Sequence, residues 1–218
     1  MLYKAIPASL ATLLKETRLF NLPGNTYLAG GTATAIYLGH RISIDIDLFT
    51  EKNFIPAPII SEIKKYHDVT VTNLAEKNTL SAIIDGVKFS LFTYPYPLLA
   101  DCIYNQDFDI YLASPIDIAA MKIVAINQRG TAKDFVDLKG LIENNNFSLN
   151  YLIEQVSRKY GLSENYSYQI RRGLVYFDDA RNGLGDIIVV KDDRTERINK
   201  NDWTQIELFF KRITFEHK

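Results

Sequence analysis

Apolar residues recur first with a helical period and then with a strand period. Leu10, Leu13 and Leu14 fall on one helical face and Pro7 suits a first turn, so the N-terminal segment predicts an amphipathic helix. NLPGN (21–25) reads as a turn and TYLA (26–29) as a short buried strand. Gly30 and Gly31 then make a corner, and TATAIYLGH supplies a short helix with Gly39 near its end. ISIDIDLFT (42–50) alternates as a strand, with Ile44, Ile46 and Leu48 expected to face the core. APIISEIKKYH (57–67) predicts a helix after Pro56 and Pro58. DVTVTNLA, TLSAIID and GVKFSLFTYPY are strand-like, the last two joined at Asp85-Gly86, a strong hairpin signal.

From Ser114 the period becomes helical. SPIDIAAMKIVAINQRG carries a capping Ser114, Pro115 at the first helical position, Asp117 completing a capping box, and Gly130 as a stop. TAKDFVDLKGLIENNN repeats the device with Thr131 and Asp134. SLNYLIEQVSRKYG and SENYSYQIRRGLVYF predict two more helices, each opened by a serine. The tail from Asp178 reads as polar until WTQIELFFKRI, a final amphipathic helix. The expectation is an α+β fold: a mixed sheet with flanking helices over 1–113, then a helical part over 114–218 packed on that core.

Composition changes this picture little. The 218 residues, 47% hydrophobic and 12% aromatic, suffice for an unstapled core. Cys102 is the single cysteine, which leaves no disulfide framework and no cysteine cluster for zinc. His40, His67 and His217 match no zinc spacing. The net charge of −1 does not announce nucleic acid, so any RNA contact must use a local basic patch. Lys15, Glu16 and Arg18 follow the first apolar run where a signal peptide needs small residues. No apolar run reaches the ~20 residues that span a bilayer. The expectation is a soluble, cytoplasmic protein with no membrane partner.

Asp45 and Asp47 carry the first chemical signal. Aspartate is depleted from strands, and in a strand these two project side by side. Adjacent carboxylates raise one another's pKa, and a divalent cation with a taste for oxygen ligands removes that penalty. Gly30-Gly31, opening a helix, offers backbone N–H groups to an anion. Alone, a Gly-Gly is a turn and an Asp-x-Asp a solvated edge. At strand–GG–helix–strand spacing the two together describe a nucleoside triphosphate pocket. Neither a Walker A loop nor GxGxxG is present, which argues against a P-loop kinase and a dehydrogenase. Lys122 and Arg129 share one helical face, and Asp134 and Asp137 share another on the next. From pattern alone that quartet reads as an exposed ion-pair network.

AGGTATAIYLGHRISIDIDLFT resembles the first motif of the AbiEii/AbiGii-type nucleotidyltransferases, a branch of the polymerase-beta-like superfamily. VKFSLFTYPYPLL, SPIDIAAMKIVAINQRGTAKDFVDL and YFDDA resemble further segments of that family, so the likeness runs from about Tyr27 to Ala180. The resemblance implies a nucleotidyltransferase fold with a helical second part. It implies Mg²⁺-dependent (or Mn²⁺-dependent) transfer of a nucleoside monophosphate from an NTP, with ATP, GTP and CTP all open. RNA, tRNA 3′ ends among them, is the implied acceptor. The implied biology is the toxin of a type IV toxin–antitoxin or abortive-infection system, with a cognate antitoxin protein as partner. By resemblance Gly30, Gly31 and Thr32 grip phosphate, Asp45 and Asp47 hold metal, Lys122 (with Arg129) holds triphosphate oxygens, and Asp134 or Asp137 fills the acidic position of KDFVDL.

One departure stands out. The superfamily's third carboxylate lies on a later strand, where GVKFSLF offers Ser90 and no acid. Three alternatives follow: Asp85 completes the metal site, the Asp134/Asp137 helix does, or the protein is a nucleotide- or partner-binding module with weak or lost catalysis. YPYP (94–97) reads as a rigid strand exit whose Tyr94 or Tyr96 offers a ring for a base, and Arg171-Arg172 as a solvated helix face.

Overall fold

The computed structural model describes residues 2–74, 77–163, 165–192 and 194–215, so His217 lies outside the described residues. Helix α1 (Ala8–Glu16) follows Pro7 and buries Leu10, Leu13 and Leu14, as its spacing requires. Strand β1 (Tyr27–Leu28) leads into α2 (Gly30–Leu38), which takes both glycines into its first turn and stops at left-handed Gly39. Strand β2 (Asp45–Thr50) is followed by α3 (Pro56–Ile63), then by β3 (Val69–Leu74), β4 (Thr79–Ile84) and β5 (Val87–Thr93). Asp85 and Gly86 both take positive φ between β4 and β5, the geometry of a tight hairpin turn. Two short strands escape the sequence pattern, β6 (Ile103–Asn105) and β7 (Ile110–Leu112).

Among the described residues these strands form one mixed sheet, ordered β3-β4-β5-β2-β1-β7-β6. β2 runs parallel to β5 and antiparallel to β1, while β1 runs parallel to β7. The β2–β5 register sets Asp45 beside Lys88 and Asp47 beside Ser90. Ile46 and Leu48 are fully buried, as alternation predicts, but Ile44 is 57% exposed. The strand begins only at Asp45, because the preceding segment leaves the sheet to pair elsewhere.

The helices come next: α4 (Pro115–Arg129), α5 (Ala132–Asn145), α6 (Leu149–Tyr160), α7 (Tyr166–Leu174) and the single turn α8 (Asp178–Arg181). Ser114 and Ser148 cap α4 and α6 through their hydroxyls, and Gly130 and Gly161 end those helices in left-handed geometry. Helix α7 starts after Asn165 rather than at Ser163, and no side chain caps it.

The tail is not merely polar. β8 (Ile188–Lys191) and β9 (Arg194–Arg197) form a hairpin before α9 (Lys200–Phe215). Ile42 N–H donates to the Ile188 carbonyl at 2.9 Å and Val190 N–H to the His40 carbonyl at 2.9 Å. This is where the residues before Asp45 find their partners. One apolar cluster runs from Leu28 and Ile46 in the sheet to Ile123, Phe135 and Phe210 in the helices. Phe135 sits at its helical centre, within ring contact of Phe177, Trp203 and Phe210.

Candidate active site

The corner after β1 is shaped by what a side chain would strike. Gly30 has φ +67°, and a Cβ there would stand 3.1 Å from Asp47 Oδ2. At Gly31 a Cβ would stand 2.4 Å from Arg41 Nη2 and 3.1 Å from Ser43 Oγ. Glycine is required at the first position for backbone conformation and at the second for room. Thr32 is buried, and its hydroxyl lies 2.9 Å from Ser43 Oγ and donates to the Asp45 carbonyl. The Thr32 hydroxyl therefore braces the approach to β2 from below the cavity rather than lining it.

A polar cavity of about 370 Å³ lies between this corner, the start of β2 and β5, and helices α4 and α5. Gly31, Arg41, Ser43, Asp45, Asp47, Lys88, Lys122, Arg129, Asp134 and Asp186 are among its walls. The structure thus brings Gly31, Asp45, Asp47, Lys122, Arg129 and Asp134 together. Gly30 touches the site through Asp47, whereas Thr32 and Asp137 stand behind it.

Beneath the cavity lies a buried ion network. Asp137 is fully buried and accepts two hydrogen bonds from Arg41, from Nε at 2.6 Å and Nη2 at 2.8 Å. Lys122 Nζ is 2.6 Å from Asp137 Oδ2, and His40 Nε2 is 2.8 Å from Asp137 Oδ1. Asp134 accepts from Lys122 at 3.0 Å, from Arg129 Nε at 2.9 Å and Nη2 at 3.1 Å, and from Thr131 at 2.7 Å. Burial alone would raise the Asp137 pKa, but the Arg41 and Lys122 charges outweigh it and hold the carboxyl well below the usual range. Asp134 is held low in the same contest, chiefly by Lys122 and Arg129.

This corrects the surface reading of the quartet. Lys122 is 5% exposed, and only Arg129 reaches out, its side chain 63% exposed. It also weakens the case for the α5 helix as a source of a metal ligand, because cations already occupy both acids. Asp85, the other candidate, is spent on His67 Nδ1 at 2.7 Å and the Asp68 N–H at 2.9 Å, outside the cavity. His67 also stacks edge-on to Phe20, a packing role.

Asp45 and Asp47 are a different kind of pair. Burial raises the Asp47 pKa, and the neighbouring Asp45 raises it further against the pull of Lys122, Lys88 and Arg129. Two oxygen-donor side chains held side by side fit a small divalent ion. Among the described residues no cluster of three or more His, Cys, Asp or Glu is disposed to hold a metal. The register puts Lys88 beside Asp45 and Ser90 beside Asp47, so neither neighbour on β5 supplies a further carboxylate.

Sequence reasoning missed Lys88, Arg41, Ser43 and Asp186. Lys88 was within reach, since parallel pairing of SIDIDLF with VKFSLF would have put it beside Asp45. Arg41 and Asp186 depend on tertiary packing and leave no local signal. Tyr94 and Tyr96 lie past the far end of β5 and do not line this cavity. Arg171 is spent on the Thr214 carbonyl and Asn150 Oδ1, while Arg172 lines a neighbouring cleft.

Known proteins place the chain by family and by fold. The profile of the family described as nucleotidyl transferase AbiEii toxin, type IV TA system, matches residues 85–212. That span includes Lys88, Lys122, Arg129, Asp134 and Asp137, while the glycine corner and the two aspartates precede it. An uncharacterized protein of Aquifex aeolicus (strain VF5) is 41% identical over 194 residues, 88% of this chain and 87% of its own. MenT4, a nucleotidyltransferase toxin of Mycobacterium tuberculosis H37Rv, superposes with a TM-score of 0.52 at 10% identity, covering 95% of this chain and 85% of its own. JHP933 of Helicobacter pylori gives 0.51 at 14% identity, covering 94% and 89%. Those two likenesses speak for the fold, and the fold is that of a nucleotidyltransferase. With the profile spanning more than half its length, the chain belongs to the AbiEii nucleotidyltransferase toxin family.

Proposed function

We propose that this protein transfers a nucleoside monophosphate from an NTP to an acceptor hydroxyl on RNA, tRNA among the candidates. We propose further that it acts as the toxin of a type IV toxin–antitoxin or abortive-infection pair. One observation carries the chemistry: two adjacent carboxylates, Asp45 and Asp47, share a cavity with Lys88, Lys122 and Arg129 under a glycine corner. The division at Ser114 into a catalytic core and a helical part belongs to the same proposal.

Asp45 and Asp47 would hold Mg²⁺ or Mn²⁺, which when bound supplies charge neutralisation at the phosphates and lowers the pKa of an oxygen it ligates. Lys122, Arg129 and Lys88 offer donors to the triphosphate oxygens. Lys122 and Arg129 are pre-oriented by Asp134 and Asp137, so little reorganisation accompanies reaction. The acceptor hydroxyl gives up its proton to solvent and its oxygen forms a bond to the α-phosphorus as the bond to the bridging oxygen breaks, and pyrophosphate leaves. The α4–α7 cleft, lined by Tyr166, Tyr168, Arg172 and Tyr176, shares Arg129 with the cavity. Tyr168 and Tyr176 are well exposed there, which supports a single-stranded acceptor end stacking beside the site. Among the described residues no helix is long and apolar enough to cross a membrane, and the cytoplasmic assignment remains part of this proposal.

Incubation with each α-labelled NTP, Mg²⁺ and total cellular RNA tests the reading. Label in RNA with release of pyrophosphate supports it. The position of Lys88 beside Asp45 favours one second reading, a nucleotide-binding module with weak or lost catalysis. Mg²⁺-dependent NTP binding without pyrophosphate release would select that second reading.

A further inference from the structure

A second cavity, of about 800 Å³, has no part in the site above. It opens past the C-terminal ends of β2 and β5, where Glu51 and Tyr94 line it, whereas Asp45 and Lys88 sit at the opposite ends. At the rise of a β-strand, Glu51 is about 20 Å from Asp45. The volume is that of a small-molecule site.

Its walls have a consistent chemistry. Tyr27, Tyr94, Tyr96 and Tyr111 line it, with the carboxylates of Glu51 and Asp101. No lysine or arginine is among the described lining residues. Lys52 approaches Glu51 at 3.4 Å, but both side chains are more than half exposed, so that pair is weak and exchangeable. Lys159 Nζ already stands 5.5 Å over the Tyr94 ring, so the rings open to an occupant are those of the exposed Tyr96 and Tyr111.

The walls are also braced. Asp117 is wholly buried and accepts from the Leu99 N–H at 2.9 Å, the Ala100 N–H at 3.2 Å and the Ser114 hydroxyl at 2.7 Å. Lys159, equally buried, donates to Asp117 at 2.7 Å and to the Pro97 carbonyl at 2.8 Å. The Tyr94 and Tyr160 hydroxyls are hydrogen-bonded, and Tyr96 packs edge-on to both rings. A buried ion pair is a poor source of net stability, and its best use is to specify a conformation. Here it fixes segment 94–101, which shapes this cavity and lies outside the nucleotidyl-transfer site.

We propose that this braced cavity binds a small organic cation, an ammonium or guanidinium group on an apolar body. The exposed Tyr96 and Tyr111 rings offer cation–π faces and the Glu51 and Asp101 carboxylates offer counter-charge. The site is independent of the proposed transfer reaction.

Equilibrium dialysis of the full chain against choline and against its neutral isostere 3,3-dimethylbutan-1-ol tests the charge requirement. Spermidine and N-acetyl-arginine amide distinguish a free amine from a partner's side chain as the source. Cys102, the only cysteine, lines the cavity and locates the binding, because an occupant must slow its alkylation by iodoacetamide. Burial and the nearby Asp117 and Asp101 push that thiol up to about 11, so the reaction is followed at alkaline pH. The expected result is saturable cation binding and Cys102 protection, with affinity falling about 10-fold in Glu51→Gln/Asp101→Asn and in Tyr96→Ala. Asp47→Asn leaves that binding unchanged. Equal binding of the neutral isostere, no binding of any cation up to about 10 mM, or wild-type affinity in both variants overturns the proposal.

Discussion

Replacing Asp137 and replacing Asp47 by asparagine should have opposite effects on stability, although the two acids are neighbours in the same region. Asp137 is fully buried and receives Arg41, Lys122 and His40. In Asp137→Asn, Lys122 keeps Asp134, but Arg41, itself 4% exposed, loses the carboxylate to which it makes two hydrogen bonds. An uncompensated buried charge of that kind costs about 3–5 kcal/mol. For a chain of this size about 2–4 °C accompanies each kcal/mol, so the midpoint should fall by about 6–20 °C. Asp47 carries a raised pKa, so its ionised form at neutral pH works against the fold, and Asp47→Asn should melt at or above the wild type. The assay is thermal unfolding by circular dichroism at neutral pH and moderate salt. A loss below about 1 kcal/mol in Asp137→Asn, or a clear loss in Asp47→Asn, would refute the division into structural and functional acids.

Three further outcomes follow from the same geometry. Asp134 and Asp137 have depressed pKa values, so the stability they confer is present above the unfolded carboxylate value near 3.8 and is lost as pH falls below it. Urea midpoints followed down in pH should show that loss in the wild type and a shallower one in Asp137→Asn. Lys122→Ala should cost about 1–3 kcal/mol, more than an exposed pair would, and also weaken NTP binding or slow transfer about 10- to 1,000-fold. Lys122→Arg should rescue only in part, since the site fits a compact ammonium shared by two carboxylates; unfolding plus NTP titration reads both effects. Lys88→Ala, at an exposed position, should shift stability by less than about 0.5 kcal/mol while slowing transfer about 10-fold or more, so unchanged kinetics would remove Lys88 from the site.

Local patterns carried much of the fold. The Asp85-Gly86 hairpin, the Ser114-Pro115 helix start and the helix ends at Gly39 and Gly130 each rest on local backbone chemistry, and all are present. The short strands β6 and β7 and the β8–β9 hairpin were illegible because their stability comes from neighbours. β8, for instance, is anchored by His40 and Ile42, nearly 150 residues earlier in the chain. Ile44 misled for the same reason, since alternation continues through a residue that the β8 pairing pulls out of the sheet. At the site, Asp45 and Asp47 were visible because aspartates in a strand violate propensity, and a violation is a signal. Lys122 was visible, but its burial was not, because helical spacing cannot say which face a later helix covers. Arg41 carried no local signal, because its partner Asp137 lies 96 residues away in the chain.

The measurement nearest the central claim is Mg²⁺-dependent transfer from α-labelled NTPs to cellular RNA, run in parallel on wild type, Asp45→Asn and Asp47→Asn. The account predicts labelled RNA and pyrophosphate from the wild type, and a loss of at least about 100-fold in each variant at undiminished melting temperature. Equal labelling by wild type and both folded variants would contradict it.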